Sequence, residues 1–146
     1  MKTGFVASCF DLLHAGHCLM LQDAKEQCDY LVAALQVDPS VDRPEKNKPV
    51  QSLDERRIQL ESIKYVDEIQ LYETEEDLKQ LLHEIRPHVR VLGTDYIGRV
   101  ATGQEYSSEV YYHDRNHGWS TSELRNRIKG EVVESVDTGD LKSPGH

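Results

Sequence analysis

Apolar positions follow two alternating spacings along this chain. Residues 4–7 form a short apolar run of strand length, and Cys18, Leu21, Ala24 and Cys28 then recur at helical spacing. Residues 30–37, YLVAALQV, are almost continuously apolar, which suits a central parallel strand covered on both faces. Residues 52–55, SLDE, read as a capping box, and Leu53, Ile58, Leu60 and Ile63 supply the buried side of the helix it opens. A strand is predicted over 68–71, then a helix capped by Thr74, carrying Leu78, Leu81, Leu82 and Ile85 and ended by Pro87. Residues 89–92 and 109–112 give two more strands, and a capping box at 120–123, STSE, opens a last helix to Ile128.

Strand and helix signals thus alternate from end to end. This is the pattern of an α/β fold, a Rossmann-like open parallel sheet with helices on both faces. A single domain is expected over 1–129, and the Gly-, Ser-, Asp- and Pro-rich stretch 130–146 reads as a flexible tail. Ligands of such sheets bind outside the carboxyl ends of the strands, where Asp11, His14, Asp38 and Asp95 would gather. Residues 39–49 hold three prolines among charged residues and are expected to form a mobile lid.

Three cysteines, Cys9, Cys18 and Cys28, are expected to be free thiols of a cytoplasmic protein, and no apolar run reaches membrane-span length. The net charge of −9 disfavours nucleic acid as a partner, since displacing counterions from many phosphates takes a basic surface. A polyphosphate ligand would need a local basic patch, available in Arg43, Lys46, Lys48, Arg56 and Arg57.

Within SCFDLLHAGHCLM, residues 8–20, His14 and His17 flank Gly16 where a strand turns into a helix. Unpaired N–H groups and the positive end of the helix dipole favour an anion there, and two imidazoles add donors. The rival, zinc, lacks a CxxC pair or a further closely spaced His or Cys. The STSE helix end offers a second anion site.

FDLLHAGH, DERR, KYVDEI, VLGTDY and RNHGWSTS, in that order and spacing, resemble the cytidylyltransferase family of nucleotidyltransferases, most nearly its members that activate glycerol 3-phosphate. The resemblance covers about residues 1–129. It implies transfer of a nucleoside monophosphate, CMP from CTP, to a small phosphorylated alcohol, with pyrophosphate released by direct in-line attack. It places His14, His17, Lys46 and Arg115 in catalysis, with Lys48 a second candidate for the lid lysine. Around the nucleotide it places Ser8, Cys9, Phe10, Asp11, Gly16, Lys48, Lys64, Gly93, Asp95, Trp119, Ser120 and Thr121. Asp38, Arg56 and Asp67 are implied to orient the acceptor or the basic side chains. Magnesium is implied through the nucleotide's phosphates, without a dedicated set of protein ligands. A homodimer is implied by KYVDEI, which resembles an element near the family's dimer interface.

Several residues depart from the pattern. Ser8 and Cys9 replace Gly-Thr before Phe10 and Asp11, and a cysteine there resembles adenylyltransferases that use ATP and a sugar phosphate such as heptose 1-phosphate. Lys64 stands for an arginine, Asn116 for a threonine, and Trp119 for a small aliphatic residue near the base. Arg115 with GWSTS favours cytidylyl transfer. Adenylyl transfer and a non-catalytic nucleotide sensor are the two other readings.

Overall fold

The computed structural model describes residues 1–134. Five strands, β1 (Thr3–Ser8), β2 (Tyr30–Gln36), β3 (Glu68–Tyr72), β4 (Val89–Gly93) and β5 (Glu109–His113), make one sheet in the order β3-β2-β1-β4-β5. Every neighbouring pair is parallel. This is the α/β Rossmann-like architecture. Strand order reverses direction at β1 and β4, so the crevice for a ligand opens beyond Ser8 and Gly93.

Alternation along the strands divides the core. Val6, Leu31, Ala33, Leu35 and Val91 face Leu21 and Ala24 of α1 (Ala15–Glu26) and Leu60 of α3 (Leu53–Glu61). Phe5, Val32, Ala34 and Tyr72 face Leu78 and Leu82 of α4 (Glu75–Ile85) on the other side. Burying each such leucine contributes about 1.5–3 kcal/mol.

The helix starts follow the sequence signals. Ser52 accepts from Glu55 N at 3.1 Å while Glu55 accepts from Ser52 N at 2.8 Å, and Thr74 and Asp77 repeat the exchange at α4. Arg86, at φ 47°, ends α4 in the left-handed region before Pro87.

Two boundaries differ from the sequence expectation. The 39–49 segment opens with a short helix, α2 (Pro39–Asp42), because Asp38 accepts from Ser40 N at 2.9 Å and Pro39 has no N–H to satisfy. The last helix, α5 (Thr121–Glu134), continues past Ile128 into the stretch read as tail. The remainder of that tail, 135–146, lies outside the described residues. Among the described residues no helix is long and apolar enough to cross a membrane.

Candidate active site

His14 is the N-cap of α1, and its Nδ1 accepts from Gly16 N at 3.0 Å. The His14 amide in turn donates to Nδ1 of His17 at 3.2 Å, so the two histidines form a reciprocal capping box. With both Nδ1 atoms accepting, each neutral ring carries its proton on Nε2. Nε2 of His14 donates to Thr121 Oγ1 at 3.2 Å, whose own hydroxyl donates to the Asp11 carbonyl at 3.2 Å. The start of α5 is thereby held against the start of α1, and both anion-favouring helix ends meet at one place.

Burial drives the His17 pKa from an ordinary 6.5 down to about 3, with His14 and Arg115 adding to the shift. His14 and His117 are lowered too, each first by burial and then by a neighbouring imidazole and Arg115. The cluster is neutral near pH 7 and repels protons, a setting that an anionic ligand relieves.

These residues line a cavity of about 660 Å³ that spans the carboxyl end of the sheet. One lobe lies toward α1 and α5 and is bounded by Ser8, Cys9, His14, Gly16, His17, His113, Arg115, His117, Trp119, Ser120 and Thr121. Gly16 is required by a close approach: a Cβ there would lie 2.7 Å from the Trp119 carbonyl. Trp119, 45% exposed, stacks on His117 with ring centroids 5.3 Å apart. Arg115 pairs with Asp95 at 3.4 Å, and a Cβ on Gly93 would collide with that Asp95 carboxylate. The second lobe, toward α4, is bounded by Gln36, Arg43, Lys46, Tyr72, Glu75, Arg90, Tyr96, Arg99 and Thr102.

Residues 5–127 match the family model described as cytidylyltransferase-like. The chain belongs to this family. Over 129 residues, 88% of this cytidylyltransferase-like chain, it is 36% identical to a bifunctional protein HldE of Helicobacter pylori (strain HPAG1). It is 36% identical over 127 residues, 86% of the chain, to the HldE of Campylobacter fetus subsp. fetus. The chain spans only 28% of the length of each of these relatives. Among solved structures, a lipopolysaccharide core biosynthesis protein from Thermoplasma volcanium superimposes with TM-score 0.59 at 23% identity, covering 90% of this chain and 89% of that one. A pantothenate synthetase from Thermus thermophilus gives 0.58 at 14% identity, with 87% and 64% covered, so the likeness to both is one of fold.

In this cytidylyltransferase-like site, several residues singled out from sequence stand behind the cavity lining. Phe10 is buried with its ring 5.6 Å from that of His17, at φ 50°, a left-handed conformation strained for a side-chain-bearing residue. Asp11 accepts from Val50 N, Gln51 N and Arg125 at 2.8, 3.0 and 2.8 Å. Arg56 is 2% exposed and donates to five carbonyls, of Cys9, Gln36, Val37, Gln51 and Ser52. It knits the ends of β1 and β2 to α3, leaving no free face for an acceptor. Asp38 is occupied as the α2 cap, Lys48 offers its carbonyl to Arg125, and Lys46 lines the cavity.

Asp67 and Lys64 lie at the opposite, amino end of the sheet. Asp67 accepts from Leu31 N at 2.8 Å and pairs with Lys25 at 2.6 Å, while exposed Lys64 lies 5.3 Å from the Tyr65 ring centroid. The turn before β3 carries both away from the strand ends that face the cavity. Arg90, Arg99, His113, His117 and Arg125 were not singled out from sequence. Arg90 had a signal: a lone arginine inside an apolar strand, VRVLG.

Proposed function

We propose that this chain transfers the adenylyl group of ATP to a sugar phosphate, releasing pyrophosphate. The observation that carries the reading is the 36% identity to HldE proteins over 86–88% of the chain, which suggests ADP-heptose synthesis. Cys9 before Phe10 and Asp11 supports it, as does a cavity with room for an acceptor beside a nucleotide.

In the proposed reaction an acceptor phosphate oxygen bonds to the α-phosphorus while the bond from that phosphorus to the β-bridging oxygen breaks. The electron pair leaves with pyrophosphate, and an already anionic acceptor needs no general base. His17 directs its Nε2–H at the phosphoryl oxygens, and His14 turns its own from Thr121 Oγ1 toward them when the nucleotide binds, with Lys46 facing them from the lid segment. Arg115 and the α5 start at Ser120 and Thr121 hold the β and γ phosphates. Magnesium neutralises phosphate charge when bound. Asp11 and Asp95 are engaged by arginines, and among the described residues no group of three His, Cys, Asp or Glu is placed to hold a metal ion, so the fit is to an ion carried on phosphate oxygens and water.

Cytidylyl transfer to glycerol 3-phosphate is the second reading, favoured by Arg115 with GWSTS. One assay separates them: pyrophosphate release with magnesium and ATP or CTP against heptose 1-phosphate or glycerol 3-phosphate. Release with ATP and the sugar phosphate is expected. Release only with CTP overturns the adenylyl reading, and nucleotide binding without release from any pair favours a sensor.

A further inference from the structure

The α4-side lobe carries more positive charge than nucleotide transfer uses. Arg90 is the second residue of β4 and is only 3% exposed. Its Nη1 donates to the Thr102 carbonyl at 2.7 Å, and its guanidinium lies 5.6 Å from the Phe5 ring centroid. Its Nε is buried and has no acceptor. Arg43, the residue that closes α2, lines the same lobe, and its Nε is likewise buried without an acceptor.

Counter-charge in the lobe is scarce. Glu75 lies 3.8 Å from Arg43 and accepts the Thr102 hydroxyl at 2.7 Å, and Arg99 adds a third guanidinium over Tyr96. Burial raises the Tyr72 pKa, so its phenol supplies no charge near neutrality. A buried guanidinium is stabilised by an oxyanion partner that its fork of N–H groups can grip, and among the described residues no carboxylate pairs with Arg90, whose acceptor is the Thr102 carbonyl. Leu78 lines the same cavity on this face, backed by the core that Leu82 and Tyr106 join.

We propose that Arg90 and Arg43 form an oxyanion subsite that grips an acidic group at the far end of the acceptor, distal to the phosphate that attacks the nucleotide. The inference rests on the nucleotidyl-transfer reading for its substrate. Among sugar phosphates it gives preference to an acceptor carrying a second acid, phosphoryl or carboxylate.

Two experiments test it. The first compares pyrophosphate release for a sugar 1-phosphate, the same sugar with a second phosphate at its far carbon, and the corresponding uronic acid 1-phosphate. A KM lower by about tenfold or more is expected for one or both acidic acceptors, and the better of the two identifies the group. Arg90→Gln is expected to erase that preference and Arg90→Lys to restore part of it. Equal KM values across the three acceptors, or a preference that survives Arg90→Gln, would overturn the proposal.

The second experiment titrates inorganic phosphate calorimetrically into the wild type, Arg115→Ala and Arg90→Gln, with Arg43→Gln in reserve should Arg90→Gln fail to fold. Phosphate binding that persists in Arg115→Ala and disappears in Arg90→Gln or Arg43→Gln supports the subsite, and binding unchanged in the latter two refutes it. If no acceptor releases pyrophosphate, the transfer reading fails while this titration still decides the subsite.

Discussion

Arg125 of α5 places a guanidinium nitrogen 2.8 Å from the Asp11 carboxylate, which also accepts the amides of Val50 and Gln51. One buried acid therefore fastens the loop after β1, the end of the lid segment and the last helix to one another. Because Lys46 and Thr121 belong to two of those parts, their spacing depends on a residue that does not line the cavity.

Removing either partner should loosen that junction. Asp11→Asn and Arg125→Ala are each expected to destabilise the fold by about 1–3 kcal/mol, read as a lowered urea midpoint. The double variant should lose less than the sum, by about 0.5 kcal/mol or more. Strict additivity would show that the two residues act independently.

Acid should weaken the fold in two stages. The folded His17 pKa of about 3 lies below its ordinary 6.5, so the unfolded chain binds more protons between those values and stability falls as pH drops through that window. The slope reaches about 1.4 kcal/mol per pH unit at most. Burial raises the Asp11 pKa, but the Val50 and Gln51 amides and Arg125 outweigh it, so this carboxylate's contribution is present above its ordinary 3.8 and lost as pH falls through its lowered folded value. Denaturation from pH 7 to 4 should show a flatter curve for His17→Gln than for wild type. An unchanged slope would mean that His17 is not the group responsible.

Gly16→Ala pits a new Cβ against the Trp119 carbonyl, 2.7 Å away, and the His14 ring, 2.9 Å away. The expected response is a shift of the α5 start away from α1. Trp119 is the sole tryptophan, so its emission reports the displacement directly, and nucleotide affinity should fall about tenfold. An unaltered spectrum with wild-type affinity would show that the junction absorbs a methyl group.

Arg56→Met leaves five carbonyls without their shared donor and is expected to cost about 3 kcal/mol or more, measured by chemical denaturation. Arg56→Lys should recover only part, since three ammonium protons cannot serve five acceptors. A lysine variant of wild-type stability but with acceptor KM raised about tenfold would instead place Arg56 in contact with substrate.

The strands and most helix starts were readable because their cues are local: apolar runs, capping pairs, a proline after a helix. The helix starts at HAGH and STSE were readable for the same reason, each carrying its capping residues within a few positions. Asp67 and Lys64 show where this stops. Nothing local distinguishes an aspartate at the amino end of a strand from one at the carboxyl end, and only topology puts Asp67 against Lys25 and the start of β2. Arg125 and Asp11 meet across 114 positions, a separation that no periodicity encodes. Phe10 and Arg56 were placed at the site, and both support it from behind, because burial of a side chain follows from packing rather than from residue type.

The cavity passes over the end of the sheet, with helix-bound histidines on one side and strand-borne and loop-borne arginines on the other. Attacker and leaving group in a phosphoryl displacement must approach along one line from opposite sides of phosphorus. In the proposed transfer, one cavity that passes over the strand ends leaves room on both sides of a phosphorus seated there. The lining also draws on different segments, so residues 43, 90 and 99 can be altered while the helix ends at His14 and Thr121 stay as they are. On the proposed reading, one scaffold of this kind exchanges its acceptor without rebuilding the part that would hold the triphosphate.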